Sequence, residues 1–111
     1  MRKYHNRKTE IDGYLFDSLA EARRYQELAL LEKAGDIGGL EIHPKYKLVV
    51  NQKLICTYSA DFRYRINNAP ETIGWGPEII EDVKGVKTAV YQLKKKLMLA
   101  CYGIEIQEVT A

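Results

Sequence analysis

The 111-residue sequence has few of the features that mark disulfide-rich or membrane-spanning chains. It contains two cysteines and three prolines, and no apolar run approaches the roughly 20 residues that cross a bilayer. No basic n-region followed by an apolar h-region opens the chain, so we expect neither a secretion signal nor a membrane partner. Cys56 and Cys101 lack CxxC spacing, and both fall on apolar positions of predicted elements. We therefore expect two reduced thiols in a cytoplasmic protein.

Several motifs of cofactor-dependent enzymes are also missing. The chain holds no GxGxxG run, P-loop or Ser-His-Asp arrangement, so we expect no small-molecule organic cofactor. His5 and His43 have no ligand spacing to a cysteine or an acid, which argues against a zinc site. An apolar content of 46% with 29% charged residues is typical of a folded domain, and the length allows a single one over residues 1–111.

Basic residues are concentrated in two segments, although the net charge is only +2. Residues 1–9 and 83–104 contain nine of the 17 basic residues and no acid. The rest of the chain holds eight basic residues against 15 acids. This segregation favours a polyanionic partner on one face of the protein. The run Lys94–Lys96, taken alone, fits solvated helix surface equally well.

The residue pattern predicts a basic arm and hairpin over residues 1–17, followed by an αβββαβ core over residues 18–111. Asp12-Gly13 is a dipeptide favoured in two-residue hairpin turns. Ser18 suits the N-cap of a first helix, and Gly35 suits its C-terminal end. The predicted fold class is α/β, with a mixed sheet flanked by helices.

Three strands are predicted between the two helices. The first is Tyr46–Val50, preceded by a connector that Gly38-Gly39 and Pro44 bound. Leu54–Ile66 alternates apolar and polar residues and reads as one strand. Ile79–Lys84 has apolar residues of both parities, which is typical of a central strand. Residues 67–77, which include Trp75, are predicted to form a loop.

The second predicted helix ends at Gly103 and precedes a last strand with Ile104, Ile106 and Val109. Its packed side is assigned to the apolar positions Val90, Leu93, Leu97, Ala100 and Cys101. Its opposite flank is assigned to Tyr91, Lys94, Lys95 and Met98.

The strand Ile79–Lys84 carries the charges that point to chemistry. Side chains alternate faces on a strand, so Asp82 and Lys84 share a face with Cα atoms roughly 6.5 Å apart. Glu81 has the opposite parity, should point away from them, and is interpreted as structural. A carboxylate and an ammonium so placed can share a metal-bound water. The alternative is a salt pair at the edge of the strand.

The order of the elements and this acid-x-lysine strand resemble the restriction-endonuclease-like superfamily, whose signature is PD-(D/E)xK. The likeness is greatest to small phage- and prophage-encoded members. Asp61 stands at the first aspartate of the signature, and Asp82 and Lys84 stand at its second half. Ala60 occupies the place of the signature's proline. Glu21 lies where family members often carry a further acid.

The resemblance implies a Mg²⁺-dependent nuclease in which Mn²⁺ substitutes for Mg²⁺. Asp61, Asp82 and the backbone carbonyl of Val83 would be metal ligands, and Lys84 would be the catalytic lysine. Two converging carboxylates repel each other, and a divalent cation removes that cost. Glu21 is either a further catalytic ligand or only the N3 residue of a capping box, returning to the backbone amide of Ser18.

A DNA substrate follows from the charge pattern, because lysine and arginine neutralise backbone phosphates. The residues assigned to DNA contact are Arg2, Lys3, Arg7, Lys8, Lys87, Lys94 and Lys95, and the resemblance adds Gln92. The arm is alternatively a frayed terminus without a role. We expect structure-specific cleavage of branched DNA in phage replication or recombination inside a bacterial host, by a homodimer. The rival hypothesis is a non-catalytic DNA-binding module on the same fold.

Overall fold

The computed structural model describes residues 8–67 and 76–111, which form two helices and eight strands. The helices are α1 (Leu19–Ala34) and α2 (Ala89–Tyr102). The strands are β1 (Thr9–Ile11), β2 (Tyr14–Phe16), β3 (Ile37–Ile42), β4 (Lys45–Val50), β5 (Lys53–Ser59), β6 (Phe62–Ile66), β7 (Glu78–Lys84) and β8 (Gln107–Thr110). The predicted DNA contacts Arg2, Lys3 and Arg7, and the predicted loop residue Trp75, lie outside the described residues.

A mixed sheet with the strand order β3-β6-β7-β8 forms the middle of the molecule. Strand β6 runs antiparallel to β3 and β7, whereas β7 and β8 are parallel. The helices and the strands of this sheet follow each other along the chain as αβββαβ. The prediction of an α/β fold with a mixed sheet is therefore confirmed. Strands β4 and β5 form a separate two-stranded sheet.

The predicted connector before Pro44 is wrong, because most of it belongs to β3. This strand pairs with β6 from Ile37 to Ile42. The register shifts between Gly38 and Glu41, and such an irregularity is where a strand tolerates glycine. The two glycines that suggested a connector therefore lie at an irregular point inside a strand.

The predicted single strand Leu54–Ile66 is also wrong, because the chain changes partner at Ala60 and Asp61. The Ala60 amide donates to the carbonyl of Pro44 at 3.0 Å, at the end of the β4–β5 pairing. The next amide, of Asp61, donates to the carbonyl of Glu81 at 3.1 Å and begins the pairing of β6 with β7. The apolar alternation continues through the break, so the sequence pattern alone does not reveal it.

The local features of the N-terminal half are confirmed. Asp12 and Gly13 have φ values of 54° and 84°, and positive φ at both central residues is typical of a type I′ hairpin turn. The Ser18 side chain accepts a hydrogen bond from the Glu21 amide at 3.1 Å and caps α1. Gly35 ends the helix in the left-handed conformation, with φ of 85°.

The sheet separates two apolar cores. On one face, α1 and the β1–β2 hairpin cover a core that includes Phe16, Leu28 and Phe62. On the other face, α2 and the β4–β5 hairpin cover a core that includes Leu48 and Ile80. Each helix therefore reaches the sheet from its own side. In the described parts of the chain, neither helix has the length and apolar character needed to cross a bilayer.

The predicted packed side of α2 is correct at Leu97, which packs against the second core, but wrong at Val90, Leu93 and Ala100, which are exposed. Val90 and Leu93 are 62% and 56% exposed, while Tyr91 and Met98 are buried in the second core. Residues 91 and 98 lie two helical turns apart and so share one face. Apolar residues occur on more than one side of α2, and the position of β4 and β5 selects which side is buried.

Candidate active site

The adjacent acids Glu81 and Asp82 of strand β7 lie on opposite faces of the sheet, as their alternation along the strand predicts. On the α2 side, Lys84 Nζ lies 3.3 Å from Asp82 Oδ1. On the α1 side, Glu81 accepts hydrogen bonds from Arg24 Nε at 2.8 Å and Arg24 Nη2 at 2.6 Å, and another from the Tyr64 hydroxyl. Glu81 is therefore paired within the fold, whereas Asp82 is the acid of this strand that can belong to a functional site.

Asp61 reaches β7 from the junction between β5 and β6. Its Oδ2 atom accepts a hydrogen bond from the Val83 amide at 2.7 Å, so its carboxylate lies beside Asp82. Burial raises the pKa of Asp61 to about 6, and the neighbouring Glu21 adds to the rise. Burial likewise raises the pKa of Asp82 to about 7, with a further contribution from Asp61. Two acids with raised pKa values thus lie next to each other in the fold.

Glu21 joins this pair from the first turn of α1. In the capping-box alternative its carboxylate would return to the Ser18 amide; instead, its Oε1 atom accepts a hydrogen bond from the Asp17 amide at 3.3 Å. Its other oxygen, Oε2, lies 3.4 Å from His43 Nε2. Glu21 is only 4% exposed, yet it lines the same cavity as Asp61. The fold therefore brings together the three acids that the sequence selected.

His43 is a member of the site that the sequence reasoning missed. It lies between β3 and β4, and its amide donates to the Asp61 carbonyl at 2.9 Å. Ligand atoms of Glu21, His43 and Asp61 all lie within 4.8 Å of one another. The exclusion of His43 rested on sequence spacing, which carries no information about ligands from three distant segments. Its φ of 54°, uncommon for a residue other than glycine, became visible only with the fold.

Glu21, Asp61, Asp82 and Lys84 line an open cavity of about 660 Å³. Among the described residues that line it are four acids, Asp17, Glu21, Asp61 and Asp82, and one basic residue, Lys84. Val83 also lines the cavity, and a ligand role for its carbonyl stays a prediction. An excess of carboxylates over basic groups makes the cavity suited to a cation.

Lys84 is held in place from two directions. Besides its pairing with Asp82, its ammonium lies 4.1 Å from the ring centroid of Tyr91. The Tyr91 hydroxyl donates to Glu108 at 2.8 Å, which fixes the ring under the lysine. The buried aromatic ring therefore supports a cation at the cavity wall.

The basic residues predicted to contact DNA have different surroundings. Lys87 and Lys95 lie 2.8 and 3.0 Å from the carboxylate of Glu108, and these pairs lower the pKa of Glu108 to about 2. Both lysines line a second cavity of about 390 Å³ together with Gln92. Lys94 is half-buried on α2, and Lys8 is exposed before β1. Glu108 thus reduces the positive charge that two of these lysines offer to a phosphate.

The comparison with known proteins gives one family. No curated protein and no solved structure matches the chain. Residues 1–109 match the family described as "Protein of unknown function (DUF1064)". Because the match covers nearly the whole chain, this protein belongs to the DUF1064 family.

Proposed function

We propose that this protein is a Mg²⁺-dependent nuclease that hydrolyses phosphodiester bonds in DNA. The observation that carries the proposal is the meeting of Asp61, Asp82 and Glu21 with Lys84 around one open cavity. The three carboxylates come from separate elements, and each is wholly or partly buried. Buried acids without a use are costly to a fold, and perturbed pKa values cluster at functional sites.

The donor set fits a hard divalent cation. Mg²⁺ prefers carboxylate oxygens, and Asp61, Asp82 and Glu21 would hold it, with the Val83 carbonyl as a further ligand. The raised pKa values of Asp61 and Asp82 show that two negative charges are costly here, so a cation stabilises the ionised pair. When bound, such a cation supplies an acidified water and neutralises charge on a phosphoryl oxygen.

Lys84 would act on the substrate side of the cavity. Its ammonium is fixed by Asp82 and Tyr91 and keeps 24% of its side chain exposed. A fixed positive donor can orient the attacking water or stabilise the anionic transition state. Removing one such donor commonly costs about 10²- to 10³-fold in rate. Lys84 therefore supplies the positive charge that the acids lack.

The substrate we propose is branched DNA in phage replication or recombination. Basic residues such as Lys87 and Lys94 would contact backbone phosphates, which give affinity without sequence readout. A domain of 111 residues has little surface left for reading bases. Cutting both strands of a branch needs two sites, which favours a homodimer working in the cytoplasm of a bacterial host.

A cleavage assay tests the proposal. The purified chain is incubated with labelled linear, flap and four-way DNA in Mg²⁺, Mn²⁺ or EDTA. We expect cleavage with either metal, faster on branched DNA, and none in EDTA. Binding to all these substrates without cleavage in either metal would contradict the nuclease proposal and favour the rival hypothesis of a non-catalytic DNA-binding module.

Matched variants assign the activity to the site. Asp82→Asn and Lys84→Met should abolish cleavage while the circular dichroism spectrum and most DNA affinity are retained. Asp36→Asn and Lys53→Met are the controls, because both residues are exposed and belong to the described lining of neither cavity. Equal activity of Asp82→Asn and Asp36→Asn would remove Asp82 from the mechanism.

A further inference from the structure

We propose that Glu21, His43 and Asp61 form a binding position for a divalent transition-metal ion, at which the His43 imidazole favours Mn²⁺ over Mg²⁺. This position shares Glu21 and Asp61 with the cavity that Asp82 and Lys84 also line, and it adds His43. This inference deepens the proposed function and rests on it for the roles of the shared ligands Glu21 and Asp61.

The three ligands are held by separate parts of the fold. Glu21 belongs to α1, His43 to the link between β3 and β4, and Asp61 to the link between β5 and β6. Two backbone hydrogen bonds join the links, from the His43 amide to the Asp61 carbonyl at 2.9 Å and from the Ala60 amide to the Pro44 carbonyl at 3.0 Å. The site is therefore organised by the backbone, with its ligand atoms within 4.8 Å of one another.

The carboxylates of Glu21 and Asp61 lie close enough for their negative charges to repel each other. One Glu21 oxygen is bound by the Asp17 amide, and the other faces His43 Nε2 at 3.4 Å. Asp61 uses one oxygen for the Val83 amide at 2.7 Å. Glu21 is more than nine-tenths buried and yet lines the open cavity. A cation between the acids and the imidazole would satisfy all three groups.

The chemistry of the donors selects the metal. Mg²⁺ prefers oxygen ligands and gives up its waters reluctantly. Mn²⁺ suits carboxylate oxygen as Mg²⁺ does. As a transition-metal ion it also binds imidazole nitrogen more readily than Mg²⁺ does. A site with one imidazole and two carboxylates should therefore hold Mn²⁺ more tightly than Mg²⁺. Without the imidazole, this preference should be lost.

Pulsed electron paramagnetic resonance of bound Mn²⁺ provides the test, since it detects a coordinated ¹⁴N nucleus without any need for activity. The full chain receives one equivalent of Mn²⁺ in the absence of DNA. We expect a histidine ¹⁴N signal in the wild type and in His5→Gln, and none in His43→Gln. His5 is the matched control because the sequence has only these two histidines.

Calorimetric titration measures the selectivity. Loss of a residue that only supports a metal ligand already costs about 10- to 100-fold in affinity. We therefore expect His43→Gln to weaken Mn²⁺ binding by at least about tenfold, and Mg²⁺ binding by less than about twofold. An unchanged Mn²⁺ affinity in a folded His43→Gln variant would contradict the proposal.

The wild-type spectrum decides the question even where the variant fails to fold. Absence of a ¹⁴N signal from tightly bound Mn²⁺ overturns the inference, and so does its persistence in His43→Gln. These outcomes are separate from the proposed function. DNA cleavage without nitrogen coordination would support the nuclease proposal and contradict the His43 site. Nitrogen coordination without cleavage would support the His43 site and contradict the nuclease proposal.

Discussion

Glu81 and Asp82 are adjacent acids, and replacing each by its amide should change stability in opposite directions. Glu81 is 2% exposed and paired with Arg24, whereas Asp82 is 2% exposed and crowded by Asp61. We expect Glu81→Gln to destabilise the metal-free protein and Asp82→Asn to stabilise it at pH 8.

The magnitude for Asp82 follows from its pKa. The rise from 3.8 to about 7 corresponds to about 4 kcal/mol of cost for ionising Asp82 in the folded state. An asparagine removes this cost and still accepts the Tyr58 hydrogen bond, but it loses the pairing with Lys84. The expected gain in the free energy of unfolding is therefore about 2 to 4 kcal/mol at pH 8.

The sign of the pH dependence follows from the same pKa. Since the pKa of Asp82 is higher in the folded chain than its ordinary value of 3.8, folding favours the protonated acid. This contribution to stability is fully present below pH 3.8 and is lost as the pH rises through about 7. The advantage of Asp82→Asn should thus be large at pH 8 and small at pH 4.

The magnitude for Glu81 follows from its partners. Two hydrogen bonds from the Arg24 guanidinium, at 2.8 and 2.6 Å, reach its two oxygens. A glutamine offers one acceptor and turns an amide donor toward the second guanidinium donor. Breaking a buried ion pair in this way costs about 3 to 5 kcal/mol.

Urea unfolding in EDTA at pH 4 and pH 8 measures both effects, with Asp36→Asn as an exposed control. The reasoning would be refuted if Asp82→Asn lowered the free energy of unfolding at pH 8 as much as Glu81→Gln does. A gain for Asp82→Asn that did not depend on pH would also contradict the assigned cause.

Three further predictions concern the support of Lys84 and the basic surface. Tyr91→Leu should lower kcat for DNA cleavage by about tenfold and change KM by less than about twofold, whereas Tyr91→Phe keeps the ring under Lys84 and should retain most of kcat. Steady-state kinetics of the two variants test this, and equal losses of kcat would contradict the role of the ring. Glu108→Gln should lower the free energy of unfolding at pH 6, and the gap to wild type should close as the pH falls from 4.5 toward about 2, because the folded-state pKa of Glu108 is lowered. Lys94→Gln should reduce the slope of log Kd against log salt by about one. Lys87→Gln should change it less, because its ammonium already pairs with Glu108.

Features set by short-range chemistry could be predicted from the sequence. The hairpin at Asp12-Gly13 and the caps Ser18 and Gly35 depend on a few adjacent residues, and all three are confirmed. The separation of Glu81 from Asp82 depends only on the period of a strand, and it is confirmed as well.

Features that depend on which distant segments of the chain pair or pack with each other could not be predicted in this way. The break at Ala60 leaves the apolar alternation intact, since it is caused by a change from β4 to β7 as the hydrogen-bonding partner. The packed side of α2 depends on which of its apolar residues the β4–β5 hairpin reaches. Both errors concern contacts between segments that are distant in the sequence.

The sequence by itself determined the hairpin, both helices, the α/β order and the parity that places Asp82 and Lys84 on one face of β7. Only the tertiary structure decided that Asp61, Glu21 and His43 meet beside them, and that Glu108 binds Lys87 and Lys95. The physical reason is the separation in sequence over which each kind of interaction acts. Turn, cap and strand geometry act over a few residues, whereas a cluster of charged groups depends on how the sheet brings distant segments together.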